Sequence, residues 1–131
     1  MTTTAASSAT STLDAFIDRY MAMWNEADPV RRRTFVEELW APDAGNYTQS
    51  IEAVGHDAIE ARVTRSFEMF VGTGVHRFQP HQQYAAHHGA VRVWWEMVTV
   101  ADGTVAATGH EFLLLDAGGR IVSDHQFPVA A

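Results

Sequence analysis

Across Gly72-Thr73-Gly74 the period of the sequence changes, and this constrains the fold more than any other feature. Before it, apolar residues recur at three- and four-residue spacing; after it they fall in strand-like runs separated by turn residues. A chain with its helices first and its strands gathered afterwards is α+β, with helices packed on one face of a curved antiparallel sheet.

Three helices are predicted. Ser11, followed three residues later by Asp14, resembles a capping box. Leu13, Phe16, Ile17, Tyr20, Met21 and Trp24 then form one apolar stripe ending near Asn25. Asp28-Pro29 supplies an N-cap and first-turn proline for a second helix, with Phe35, Val36, Leu39 and Trp40 facing inward. "APDAGNYTQS" breaks that helix and leads into a short strand over residues 46–49. Gly55 to Asp57 opens a third helix with Ile59, Val63, Phe67 and Phe70 on its apolar side. "HRFQPHQQYAA", "AVRVWWEMVTV" and "GHEFLLLDAGGRIVSDHQF" supply the long strands, with turns at His87-His88-Gly89 and Asp102-Gly103. The 131 residues show no repeat or linker, so residues 11–131 read as one domain behind a small, polar, disordered tail at 1–10.

Several function classes are disfavoured. The net charge of −7 argues against phosphate-driven nucleic-acid binding. The one basic run, Arg31-Arg32-Arg33, is followed by Glu37 and Glu38 and reads as a solvated helix face. Without cysteine there are no disulfides, thiol nucleophiles or cysteine zinc sites. The start has no signal-peptide pattern and no run is long enough to span a bilayer, so no membrane partner and a cytoplasmic location are expected. There is no phosphate loop, nucleophile elbow or dinucleotide fingerprint, and no cofactor is expected. His56, His76, His81, His87 and His88 show no ligand spacing. His110 and His125 alone do not make a metal site, and none is expected.

Candidate chemistry lies in the last hairpin. With a loop at residues 116–119, Leu115 faces Arg120, Glu111 faces Asp124 and His110 faces His125. Side chains alternate, so the two carboxylates share one face and the two histidines the other. A slip of one residue would set Glu111 against His125 instead. Two carboxylates in a low-dielectric pocket cannot both ionise cheaply, so one holds a proton near neutral pH. Glu96 shares its parity with Arg92, Trp94 and Val98 and is a further carboxylate expected at the cavity. Trp24, Trp40, Phe67 and Phe70 read as core residues whose inner ends form a pocket wall, and Tyr47 and Trp94 as ligand contacts.

"IDRYMAMWNEADPVRRRTFVEELWAPDA", "VGHDAIEARV" and the hairpin together resemble the SnoaL-like and ketosteroid isomerase-like superfamily, which also holds nuclear transport factor 2. The resemblance covers residues 13 to 127. It implies a cone: a bent sheet wrapped by three helices around one deep apolar pocket, paired as a homodimer through the outer sheet face. It places Tyr20 at the tyrosine that donates to a developing oxyanion in the isomerases, and Glu111 at their protonated acid. The isomerase base falls at Thr48, which cannot serve, so Asp124 and then Glu96 are the candidate bases. Gln126 stands where the cyclases carry an acid, and Gly109 where related epoxide hydrolases carry an arginine. The resemblance thus leaves three expectations open. One is a cofactor-independent acid–base enzyme, isomerase- or cyclase-like, for an apolar, cyclic or carbonyl-containing molecule. Another is a non-catalytic small-ligand-binding or dimerisation module. The third is a hydrolase or dehydratase using carboxylate-activated water.

Overall fold

The computed structural model describes residues 2–81 and 83–129, with side chains described from residue 12 onward. Helix α1 (Thr2–Asn25) carries the expected stripe: Ile17, Tyr20, Met21 and Trp24 are buried. It starts well before Ser11, so the Ser11–Asp14 pair does not mark its N-terminus and the stretch read as a tail has a helical backbone from Thr2. Threonines, alanines and serines without glycine or proline offer nothing there to stop a helix. Asp14 instead accepts a hydrogen bond from the Tyr84 hydroxyl.

Helix α2 (Pro29–Leu39) starts where Asp28 accepts from the Val30 N–H at 2.9 Å. The basic run on it is not one solvated face. Arg32 is 3% exposed, donates to the Glu26 and Ala27 carbonyls and to Thr64 Oγ1, and lies 4.5 Å above the Phe67 ring. Arg33 pairs with Glu37, Asp57 and Glu60, tying α2 to the next helix. The middle arginine is a buried clamp because its guanidinium meets the Glu26 and Ala27 carbonyls of the connection between α1 and α2.

Trp40 begins a strand rather than ending the helix. β1 (Trp40–Tyr47) folds back on β2 (Glu52–Val54), and α3 (His56–Ser66) follows, continuing as a π-helical turn over Phe67–Val71. The remaining strands are β3 (His76–Pro80), β4 (Ala85–His87), β5 (Ala90–Thr99), β6 (Val105–Leu115) and β7 (Ile121–Val129). The sheet runs β2-β1-β7-β6-β5-β3, with β4 beside β5. The expected α+β class holds, with one difference: β1 and β7 pair parallel, so the curved sheet is mixed and not wholly antiparallel. The long excursion through α3 and five strands lets the chain return to β1 in the same direction. The core lies between the helices and the inner sheet face, where Trp40, Ile59, Val63, Val93, Leu113 and Ile121 are buried. Among the described residues no helix is long and apolar enough to cross a membrane.

Candidate active site

The last hairpin places the site, though not in the register read from its sequence. Asp116 to Arg120 form the turn, with the Asp116 carboxylate accepting from the Gly118 and Arg120 N–H groups. Leu115 faces Ile121, and a bulge at Val122 then sets Leu114 against Ser123. The longer turn and the bulge each slip the register by one residue. The two slips preserve the faces, because side chains alternate with period two. Glu111 therefore faces Gln126, and Asp124 faces Leu113, yet all four still point inward and are buried. His110 faces Phe127 and His125 faces Phe112 on the outer surface, so the expected histidine pair does not form.

Four elements converge on the inner acids. Glu111 on β6 and Asp124 on β7 meet beneath Tyr20 of α1, all at 2% exposure or less. The Tyr20 hydroxyl is 2.6 Å from Glu111 Oε2 and also hydrogen-bonds Asp124 Oδ2. Gln126 Nε2 donates to Glu111 Oε1 at 2.8 Å, and Asn46 Nδ2 of β1 donates to Asp124 Oδ2 at 3.2 Å. A phenol has one proton to give. Two buried carboxylates around it need another, because two adjacent negative charges without water are costly. Burial, reinforced by the Asp124 charge, pushes the Glu111 carboxyl well above the ordinary range. Burial pushes Asp124 up to about 7, while hydrogen bonds from Tyr20 and Asn46 and the Arg62 charge hold it back. Near neutral pH the pair shares a proton, with Glu111 the protonated member and Asp124 close to its midpoint.

In front of this cluster is a cavity of about 230 Å³. Glu111 and Gln126 form its polar floor. Trp24, Phe70, Phe78, Trp95, Met21 and Met97 supply most of the apolar wall, and Arg62 and Ser66 of α3 face it one helical turn apart. Tyr20 and Asp124 do not line it; they stand behind Glu111, so the acid between them and the cavity is the group a ligand would meet.

Of the residues singled out in the sequence, Trp24, Phe70, Gln126 and Glu111 line this cavity, and Tyr20 and Asp124 lie one contact behind. The other expected residues are placed differently. Glu96 is on the outer sheet face, accepting from Gln79 Nε2 at 2.9 Å, because β5 pairs Val93 and not Arg92 or Trp94 with Glu111. Trp94 is on that same outer face, stacked between His81 and His110 with centroids 4.4 and 4.8 Å away, and Trp95 takes the cavity position. Tyr47 stacks on His125 outside, at 4.9 Å. Trp40 is wholly buried behind the cavity, its indole N–H donating to Met23 Sδ. Phe67 packs against Arg32 instead. Thr48 accepts from the Ser50 and Ile51 N–H groups in the turn after β1 and does not line the cavity. Among the described residues no cluster of three or more histidine or acidic side chains is arranged to hold a metal.

Gly109 has a steric reason. A Cβ there would sit 2.5 Å from the Trp95 ring, which lies flat over this glycine on the inner face. Gly109→Ala is expected to cost about 1–3 kcal/mol through overpacking and to push the indole into the cavity. Thermal denaturation together with ligand titration measures both, and an unchanged melting temperature would show that the ring has room to move.

The sequence reading missed Asn46, Arg62 and Ser66. A signal for the last two was present: positions 59, 62, 63 and 66 share one face of α3, so an arginine and a serine interrupt its apolar stripe.

Compared by sequence, the chain matches no family model and no curated protein. Solved structures do match. A SnoaL-like family protein from Agrobacterium tumefaciens str. C58, to which isomerase activity is ascribed, is 26% identical with a TM-score of 0.79, over 88% of this chain and 96% of that one. A protein of unknown function with a cystatin-like fold from Methylobium petroleophilum PM1 is 18% identical with a TM-score of 0.69, over 92% and 78%. A SnoaL-like protein from Jannaschia sp. CCS1, to which polyketide cyclase activity is ascribed, is 13% identical with a TM-score of 0.65, over 86% and 84%. Others are described as ketosteroid isomerase-like and nuclear transport factor 2-like. With helices and curved sheet arranged as in these proteins, the chain belongs to the SnoaL-like, ketosteroid isomerase-like superfamily.

Proposed function

We propose that the protein is a cofactor-independent enzyme that moves a proton on a small, largely apolar, carbonyl-bearing molecule. The observation that supports this is Glu111: a carboxyl held protonated by burial and by Asp124, at the floor of an apolar cavity. A neutral acid there donates to a carbonyl oxygen as negative charge develops on it. Behind it the Tyr20 hydroxyl donates to the carboxylate that is left when the proton moves, and Asp124 in its protonated form can return a proton to Glu111. Among the described residues Glu111 is the only carboxyl lining the cavity, so it is the acid–base group that meets substrate, giving a proton at one atom and recovering it at another. The isomerase and cyclase activities ascribed to similar SnoaL-like structures agree with this chemistry class. The test is deuterium exchange from heavy water into cyclohexanone, followed by proton NMR. Exchange at the α-carbon above the buffer rate supports the reading, and none at any pH between 5 and 9 counts against it.

A second reading is supported by the same cavity: with its other acids behind Glu111, the protein would be a non-catalytic holder of such a molecule. It would bind the ketone without accelerating exchange. The outer sheet face carries Phe112, Leu114 and Phe127, each about half exposed, and we propose that it pairs with a second copy of the chain. Phe127→Asp would then yield a monomer in sedimentation equilibrium, and a wild-type monomer at every concentration would refute the pairing.

A further inference from the structure

The cavity has a second polar wall, and its groups are donors. Arg62 is partly buried yet forms no ion pair with any described carboxylate. One nitrogen, Nη2, donates to Gln126 Oε1 at 3.2 Å, while Nε is buried without a partner. One turn further on α3, Ser66 lines the same wall at 4% exposure, and no described residue hydrogen-bonds its hydroxyl. The indole N–H groups of Trp24 and Trp95, two further lining residues, are also buried and unpartnered. A buried donor left unpaired costs about 1–3 kcal/mol, and three of them around one cavity, with the Ser66 hydroxyl beside them, describe the complement of an acceptor-rich ligand.

We propose that the ligand carries a carboxylate, held by Arg62 and Ser66 at the α3 wall, in addition to the oxygen that faces Glu111. The inference rests on the reading of this cavity as the substrate site. It narrows the substrate class from apolar ketones to short keto acids and their relatives.

Charge and size both point this way. Arg62 stays cationic even when buried, and the Trp24 ring, 5.3 Å from its guanidinium, fixes it over the cavity without neutralising it. One buried cation balances one negative charge, which suits a carboxylate better than a phosphate carrying nearly two. Gln126 bridges Arg62 and Glu111, accepting from the arginine and donating to the acid. The Arg62 charge lowers the Glu111 carboxyl, but less than burial and the Asp124 charge raise it. A bound carboxylate adds negative charge nearby and so holds the proton on Glu111 until the carbonyl takes it. A cavity of about 230 Å³ holds about ten non-hydrogen atoms, which suits one ring bearing two oxygen functions.

The matched probes are 4-oxocyclohexanecarboxylate and 4-oxocyclohexanecarboxamide, titrated by calorimetry against the full chain. The acid should bind at least tenfold more tightly than the amide. Arg62→Gln should remove that preference while leaving the amide's affinity within about twofold, and Ser66→Ala should reduce it about threefold. Equal affinities for wild type, no binding of either probe at millimolar concentration, or a preference that survives Arg62→Gln would overturn the proposal. Should Arg62→Gln not fold, the wild-type ratio and its change in Ser66→Ala decide: an unchanged ratio in that variant overturns the carboxylate subsite. Glu111→Gln separates the two readings. Acid-over-amide preference without any effect of Glu111→Gln on α-proton exchange would remove the catalytic role and keep the subsite, and the reverse result would do the opposite.

Discussion

Glu111→Gln should reduce α-proton exchange on a cyclic ketone by about 10²–10⁴-fold and leave the protein folded at nearly the wild-type melting temperature. The two halves of this expectation have one cause. Burial and the Asp124 charge favour the neutral form of Glu111 in the fold, so an amide replaces an acid of the same charge and nearly the same shape. Its oxygen can still accept from Gln126, and its new N–H can still reach Asp124. What is lost is the transferable proton. An ionised Glu111 would behave otherwise, because the substitution would remove a negative charge beside Arg62 and Tyr20 and shift stability strongly. Exchange rates by NMR and melting curves on the same sample decide the matter: wild-type exchange in the variant would leave Glu111 no part in catalysis. Tyr20→Phe should act more weakly and in another way. Tyr20 does not line the cavity, so its loss should move the pH midpoint of exchange rather than abolish it.

How much of this was legible in the sequence depended on whether a feature was periodic or contingent. The α+β class followed from the change of period near Gly72, strand parity put Glu111 and Asp124 on one face, and the family resemblance alone brought Tyr20 to them. Parity survived a wrong register only because two slips, at Arg120 and Val122, cancelled. Where no such cancellation operated, the reading failed: on β5 the apolar pair Trp94-Trp95 gives no sign of which ring faces in. The answer lies in the pairing of Trp95 with Gly109, the one inner position with no side chain to obstruct an indole. Trp40 and Tyr47 were displaced for a related reason. β1 begins earlier than its polar, proline-containing sequence suggests, because its parallel partner β7 supplies the hydrogen bonds that local propensity does not. Arg62 was passed over because a lone arginine near the apolar face of a helix resembles a surface residue until the cavity beneath it is known.

The second large effect is on stability. Between pH 4 and 8 the protein should become less stable as pH rises, and Asp124→Asn should flatten that slope. In the unfolded chain Asp124 titrates near 3.8, and in the fold at about 7. Between those values the folded state holds a proton that the unfolded state has released, so stability falls with each unit of pH. At 1.36 kcal/mol per unit the full cost is on the order of 4 kcal/mol, complete by about pH 8. Glu111, raised by burial and by the Asp124 charge, acts in the same sense and extends the decline to higher pH. Asp102 works in the opposite sense, since hydrogen bonds from Thr104 hold its carboxyl below the ordinary value, but it is fully exposed and its effect is confined to acid pH. Asparagine at 124 has no proton to lose in either state. It also takes away the charge that helps to keep Glu111 protonated, so the variant's remaining slope should be shallower. Urea denaturation of both proteins at pH 4.5, 6 and 8 measures the difference directly. Parallel stability curves would mean that burial does not raise the Asp124 carboxyl in the fold, and Asp124 would then have no proton to share with Glu111 near neutral pH.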